Sequence, residues 1–321
     1  MEEVKEYLTT TEQVNFHVKD DQKIMKFCIQ ASRTFDTECN RRFFPRKETR
    51  YYDHPDTSGL YPAYLRARGN IGLYPNVSLR HVNVSMLELD DDLLAPITVT
   101  TNNGDTTITS DNYYLMTGEN YNYPPYDRLV LKSNSSQTVF LFSGTTQESN
   151  SITGLWGYHE KYSGAWALVD TVQSNITSSA TSVTVADVDG VDEQGFTPRF
   201  QLQQLCRFGT GNDGEMFYII GRNVDGTQTL NIIRGVNGTT ATAQTSTTGI
   251  YVYRPQEEIK LAILALATYS YRRPGNIGRP EIDQPIATST GVIIMPPQLP
   301  NEVKLMIDKY KKSPNGNQSL Y

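Results

Sequence analysis

The stretch from Ile24 to Pro45 constrains this chain more than any other. Apolar residues recur at Ile24, Phe27, Cys28, Ala31, Phe35 and Cys39. Steps of three and four place them along one stripe of an α-helix, and that stripe must be buried against another element. Asp20 and Asp21 set negative charge at the positive end of such a helix and mark its start. Pro45 disfavours helical backbone at Phe44, so the spacing predicts a helix running to the proline. Arg33, Arg41 and Arg42 fall near its end, and Arg46 and Arg50 follow it. Upstream, Thr10-Thr-Glu-Gln13 fits a capping box and predicts a short helix reaching about His17.

From Lys47 to about Tyr158 the period changes to that of strands. Alternation or β-branched enrichment marks Val82–Leu89, Ile97–Thr101, Tyr113–Met116, Arg128–Leu131 and Thr138–Phe142, with turn formers such as Asn102-Asn-Gly-Asp105 between them. A second β region follows, with strands expected at Ser182–Asp187, Glu215–Ile220, Thr229–Ile233 and Gly249–Tyr253. Asp225-Gly226 signals a hairpin between the middle two. Helical spacing returns at Glu257–Arg272, stopped by Pro274-Gly275, and again at Leu299–Tyr310 with Pro300 at its start. Residues 274–298 read as loop or a strand pair. The divisions expected are therefore 1–46 helical, 47–158 β-rich, 159–254 a β-rich insertion, 255–312 helical, and 313–321 a flexible polar tail.

Four stretches of the sequence carry a resemblance. The run Ala31-Ser-Arg-Thr-Phe-Asp…Arg41-Arg-Phe-Phe-Pro45 resembles the connector, or adaptor, proteins of tailed bacteriophages, which form the ring beneath the portal. Leu299-Pro-Asn-Glu-Val…Tyr310 resembles the final helix of that family. Leu89–Ile97 with Asp111–Leu115 resembles its β unit more loosely, and Arg234-Gly-Val-Asn-Gly-Thr239 resembles a turn of phage tail and neck modules. The resemblance implies an α+β fold: a helical connector core, made of N-terminal helices plus two C-terminal helices, interrupted by two β-rich units. The second β unit is expected to be a small β-sandwich or barrel-like insertion. The implied role is a structural virion protein of the neck, active in genome ejection. Its implied partners are further copies of itself in a ring, usually twelve-fold, the portal protein, and a stopper or tail protein. DNA would pass through the lumen without sequence-specific binding.

Charge agrees with that last expectation. The net charge is -6, whereas a protein that grips duplex DNA gains affinity by neutralising phosphates. The 20 tyrosines against 2 tryptophans suit β-rich surfaces and polar protein contacts. Cys28, Cys39 and Cys206 offer neither a disulfide framework nor a metal spacing. The N-terminal Met-Glu-Glu-Val-Lys-Glu lacks the apolar run of a signal peptide, and no stretch is long and apolar enough to span a bilayer. Synthesis in the host cytoplasm and a place in the virion neck are expected, with no membrane contact.

Catalysis is not expected. His17, His54, His81 and His159 stand apart from one another, with no metal-protease spacing, nucleophile elbow or phosphate loop. Asp187-Val-Asp-Gly-Val-Asp-Glu193 misplaces the glycine and the final acid of a calcium loop, so it reads as a turn. Asp90-Asp-Asp92 reads as a solvated acidic loop. No cofactor or metal is expected. Trp156 and Trp166 suit packing at a junction of the β regions better than a sugar platform, although a carbohydrate-binding fibre or baseplate module is the alternative function. The expected partner surface comprises the arginine cluster Arg33, Arg41, Arg42, Arg46 and Arg50, because arginine forks onto carboxylates at interfaces. Lys309, Lys311 and Lys312 join it, with Ser313, Pro314, Asn315, Leu320 and Tyr321 of the tail.

Overall fold

In the computed structural model the long helix α1 (Val18–Cys39) stops short of Pro45. Asn40 ends it by turning into the left-handed region at φ 50. The Asn40 N–H donates to Thr37 O and the Arg41 N–H to Asp36 O, both at 3.2 Å. This is the Schellman pair that satisfies the last carbonyls of a helix, with asparagine in the position glycine usually takes. The structure describes residues 4–6, 18–55, 85–118, 120–121, 124–193, 195–224, 226–272, 286–287, 293–294 and 299–312. The capping box at Thr10–Gln13 lies outside them.

The chain divides into two units, Met1–Phe43 with Arg254–Tyr321, and Phe44–Tyr253. In the first, α1 packs with α2 (Glu257–Arg272) and α3 (Asn301–Tyr310). Ile24, Ala31, Phe35 and Cys39 of the predicted stripe are buried, as are Ile259, Ala262, Leu266, Val303, Ile307 and Tyr310. Phe43 lies 5.2 Å from Phe35 and 6.2 Å from Tyr310, centroid to centroid. α2 has the bounds its spacing predicts. Within 274–298, Ile286–Ala287 pairs antiparallel with Ile293–Ile294.

The second unit holds two antiparallel sheets. The first contains β1 (Arg46–Tyr52), β2 (Met86–Thr101), β3 (Thr106–Ile108), β4 (Tyr113–Thr117), β5 (Asn120–Tyr121), β6 (Tyr126–Leu131) and β7 (Asn150–Trp156). Its order is β1-β7-β2-β6-β4-β5, with β3 paired to β2. Where the sequence suggested two strands broken by acidic residues, β2 runs unbroken for 16 residues. Register shifts near Asp90–Asp92 and Pro96 absorb the residues that fit the ladder badly. Thr138–Phe142 forms no strand, yet Phe140 is buried in the core of this sheet.

The second sheet contains β8 (Trp166–Thr171), β9 (Ser182–Thr184), β10 (Leu205–Phe208), β11 (Met216–Asn223), β12 (Thr229–Arg234) and β13 (Gly249–Tyr253), in the order β8-β13-β10-β11-β12-β9. It curls until the Gln173 N–H, just beyond β8, donates to Thr184 O of β9 at 2.9 Å. One face buries Val169, Phe208, Phe217, Ile219, Leu230, Ile250 and Val252. A further cluster joins Leu94, Ala95 and Leu155 of the first sheet to Trp166, Leu205, Met216 and Tyr253 of the second.

The expected α+β class is therefore corrected. Among the described residues the protein is mostly β, and its framework is the pair of sheets rather than a helical connector core. The helical stripes are the clearest periodic signals in the sequence, but they account for few residues. Among the described residues, most of the buried apolar side chains lie in the β unit, where bulges and turns interrupt the strand pattern.

Candidate interaction surface

Three of the five predicted arginines belong to the helical unit. Arg33 and Arg42 are exposed and Arg41 is partly buried. The chain leaving α3 returns to the same place, where the Lys312 N–H donates to Cys39 O at 2.8 Å. Arg41 and Lys311 both act on the Cys39 thiol, whose pKa is pushed up to about 12, chiefly by burial. Cations from both ends of the chain thus gather where the negative end of the α1 dipole favours them. Beside them burial raises the Asp36 carboxyl to about 7, against the Phe43 N–H and the charge of Arg42, which pull it down. Its buried Oδ1 has no hydrogen-bond partner among the described residues. Along α1 a surface groove is lined by Lys26, Ile29, Gln30, Arg33, Thr34, Thr37 and Glu38.

The other two arginines belong to the β unit. Arg46 pairs with Glu48 at 2.8 Å. Arg50 is engaged within the fold: it bonds Asp91 at 2.7 Å, Asp90 at 3.1 Å and Glu48 at 3.2 Å. Its guanidinium also lies 4.4 Å from the Trp156 ring. Asp90 and Asp91 are thus strand residues holding Arg50, which corrects the reading of a solvated acidic loop. Lys309 pairs with Glu258 of α2, to which the Tyr310 hydroxyl also donates at 2.6 Å. Ser313, Pro314, Asn315, Leu320 and Tyr321 lie outside the described residues.

The remaining candidates resolve into structural roles. His54 is buried with Nε2 2.9 Å from Phe140 O, and His159 Nδ1 accepts the Lys161 N–H at 3.0 Å. His17 and His81 lie outside the described residues. Asp187 Oδ1 accepts the N–H groups of Asp189 and Gly190 at 3.2 and 3.0 Å, which is the turn expected of that stretch. Trp156 is fully buried with Nε1 donating to Glu48 O, and Trp166 donates to Tyr162 Oη at 3.0 Å. Neither indole presents a face for a sugar. Among the described residues no group of three or more histidine, cysteine or acidic side chains is arranged to hold a metal.

No protein family, curated protein or solved structure matches this chain. Among the described residues, no helix is long and apolar enough to cross a membrane.

Two charged sites in the second sheet escaped the sequence reading. Arg234 forks onto Glu215, Nε to Oε1 at 2.8 Å and Nη2 to Oε2 at 2.6 Å, and both side chains are almost wholly buried. The Thr242 N–H adds a bond to Glu215 at 2.9 Å, so this pair pins the loop before β13. The other is Arg207, in the middle of the wholly buried strand β10. Its only sequence signal is a lone cation in the short apolar run Leu205-Cys-Arg-Phe208.

Proposed function

We propose that this chain is a structural subunit of a bacteriophage neck, an adaptor whose copies close a ring between the portal and the stopper or tail. One observation supports this most. Two of the segments that carry the family resemblance, around Ala31–Pro45 and Leu299–Tyr310, lie far apart in sequence. Nearly all of both falls in one unit, where the carbonyl of Cys39 accepts the Lys312 N–H. Each helix of that unit also carries an exposed apolar side chain: Ile29 on α1, 45% exposed, Leu261 on α2, 57%, and Leu305 on α3, 68%. A head-to-tail contact that repeats by a rotation dividing a full turn would bury such groups and close a ring.

In this reading the cations at the end of α1 meet carboxylates of the portal. Arg33 and Arg42 are the test positions because both are exposed. Arg33→Glu with Arg42→Glu is expected to leave the melting temperature unchanged and to weaken co-sedimentation with the portal about tenfold. Undiminished co-sedimentation would contradict the assignment of that surface. The net charge of -6 would let DNA phosphates pass a ring of such subunits without sticking. The alternative, a carbohydrate-binding fibre or baseplate module, has lost its candidate platform because both tryptophans are buried.

A further inference from the structure

Arg207 stands apart from the paired cations of the β unit. Arg234 has Glu215, Arg50 has Asp90 and Asp91, and Arg199 has Asp170 and Asp187. Arg207 is only 8% exposed, yet among the described residues no carboxylate stands within ion-pair distance of it. Its Nε is buried without a hydrogen-bond partner there. The guanidinium lies instead against two aromatic rings, 4.6 Å from the centroid of Trp166 and 5.4 Å from that of Tyr251. The hydroxyl of Tyr162 holds the Trp166 wall in place through the indole N–H at 3.0 Å.

A ring face attracts a guanidinium, but the N–H groups point outward in the guanidinium plane and call for a forked acceptor. Leaving a buried charge without its counter-charge is costly, and the folded chain bears that cost here. The surroundings indicate what repays it. Tyr251 stands opposite Arg207 on one side and Leu168 on the other, so the three residues form a row across β10, β13 and β8. Leu168 is 42% exposed. Arginine, tryptophan and tyrosine are the residues that dominate protein–protein hot spots.

We propose that this row is a docking site for a partner protein, with Arg207 receiving an aspartate or glutamate side chain and Leu168 covered by the residues beside it. A single guanidinium balances a single carboxylate. A phosphate group, carrying up to about two charges, would remain uncompensated beside Leu168. The site lies in the β unit and does not depend on the neck assignment.

The test uses the purified chain and a hexaglutamate peptide, followed by tryptophan fluorescence at fixed ionic strength, since Trp166 reports on Arg207 directly. A saturable change is expected with hexaglutamate, none with hexaglutamine or inorganic phosphate, and binding about tenfold weaker or absent in Arg207→Gln and Leu168→Asp. In parallel, Arg207→Met is expected to raise the melting temperature of the isolated chain, because it removes an unpaired buried charge while keeping its bulk. No saturable response, an equal response in Arg207→Gln, or saturation by phosphate but not by the peptide would overturn the proposal. So would a lowered melting temperature in Arg207→Met, which would make the arginine a structural part of its aromatic stack.

Discussion

Gly238 sits where the two sheets of the β unit meet. Its φ of +79 is one that side-chain-bearing residues rarely adopt, and a Cβ there would lie 2.0 Å from Lys47 O. The same turn accepts the Lys47 N–H at Asn237 O, 2.8 Å, and donates from Asn237 Nδ2 to Pro45 O, 3.1 Å. Gly238→Ala is therefore expected to destabilise the protein by about 2 kcal/mol or more in denaturant unfolding. An unchanged midpoint would mean that the turn does not hold β1. Asp36 gives a pH-dependent prediction. Its folded pKa, about 7, lies above the ordinary carboxylate value, so the folded chain binds this proton more tightly than the unfolded chain. That contribution is present at low pH and is lost as pH rises from about 4 towards 7. Asp36→Asn, which keeps an acceptor for the Phe43 N–H, is expected to flatten this part of the stability profile and to melt higher than the parent at pH 8. Parallel profiles would show that the carboxyl is already ionised in the fold.

At the scale of elements, the end of α1 is the instructive case. The sequence pattern placed the stop at Pro45, because proline restricts the residue before it. Asn40 acts first, since asparagine tolerates left-handed backbone and the Schellman bonds follow from it. Asn40→Gly is expected to match or slightly exceed the parent in stability, and Asn40→Val to lose about 1–2 kcal/mol by thermal unfolding. Equal stability in both would remove the capping role. The helices were legible because one uninterrupted stripe specifies each of them, and α2 kept its predicted bounds. β4, β6, β12 and β13 were legible for the corresponding reason of alternation and clear turns. β1, Arg46–Tyr52, was not, since charged and tyrosine residues fill it and only its pairing with β7 makes it a strand. β10 was missed because four buried residues in succession show no alternation.

Across the whole molecule, weight in the sequence and weight in the fold diverge. The helical signals suggested a framework interrupted by β insertions, whereas two sheets carry most of the ordered structure and the helices form the smaller unit. Among the site residues, composition picked out arginines but could not tell an exposed one from Arg50, whose carboxylate partners Asp90 and Asp91 lie some forty positions away. Arg207 was invisible for the opposite reason, since what distinguishes it is a partner it lacks. The neck proposal concerns assembly, and assembly tests it most directly. Electron microscopy of the purified chain mixed with its portal is predicted to show closed rings of this protein capping the portal. Portals left bare, with the chain present as separate trimers or single particles, would contradict the account.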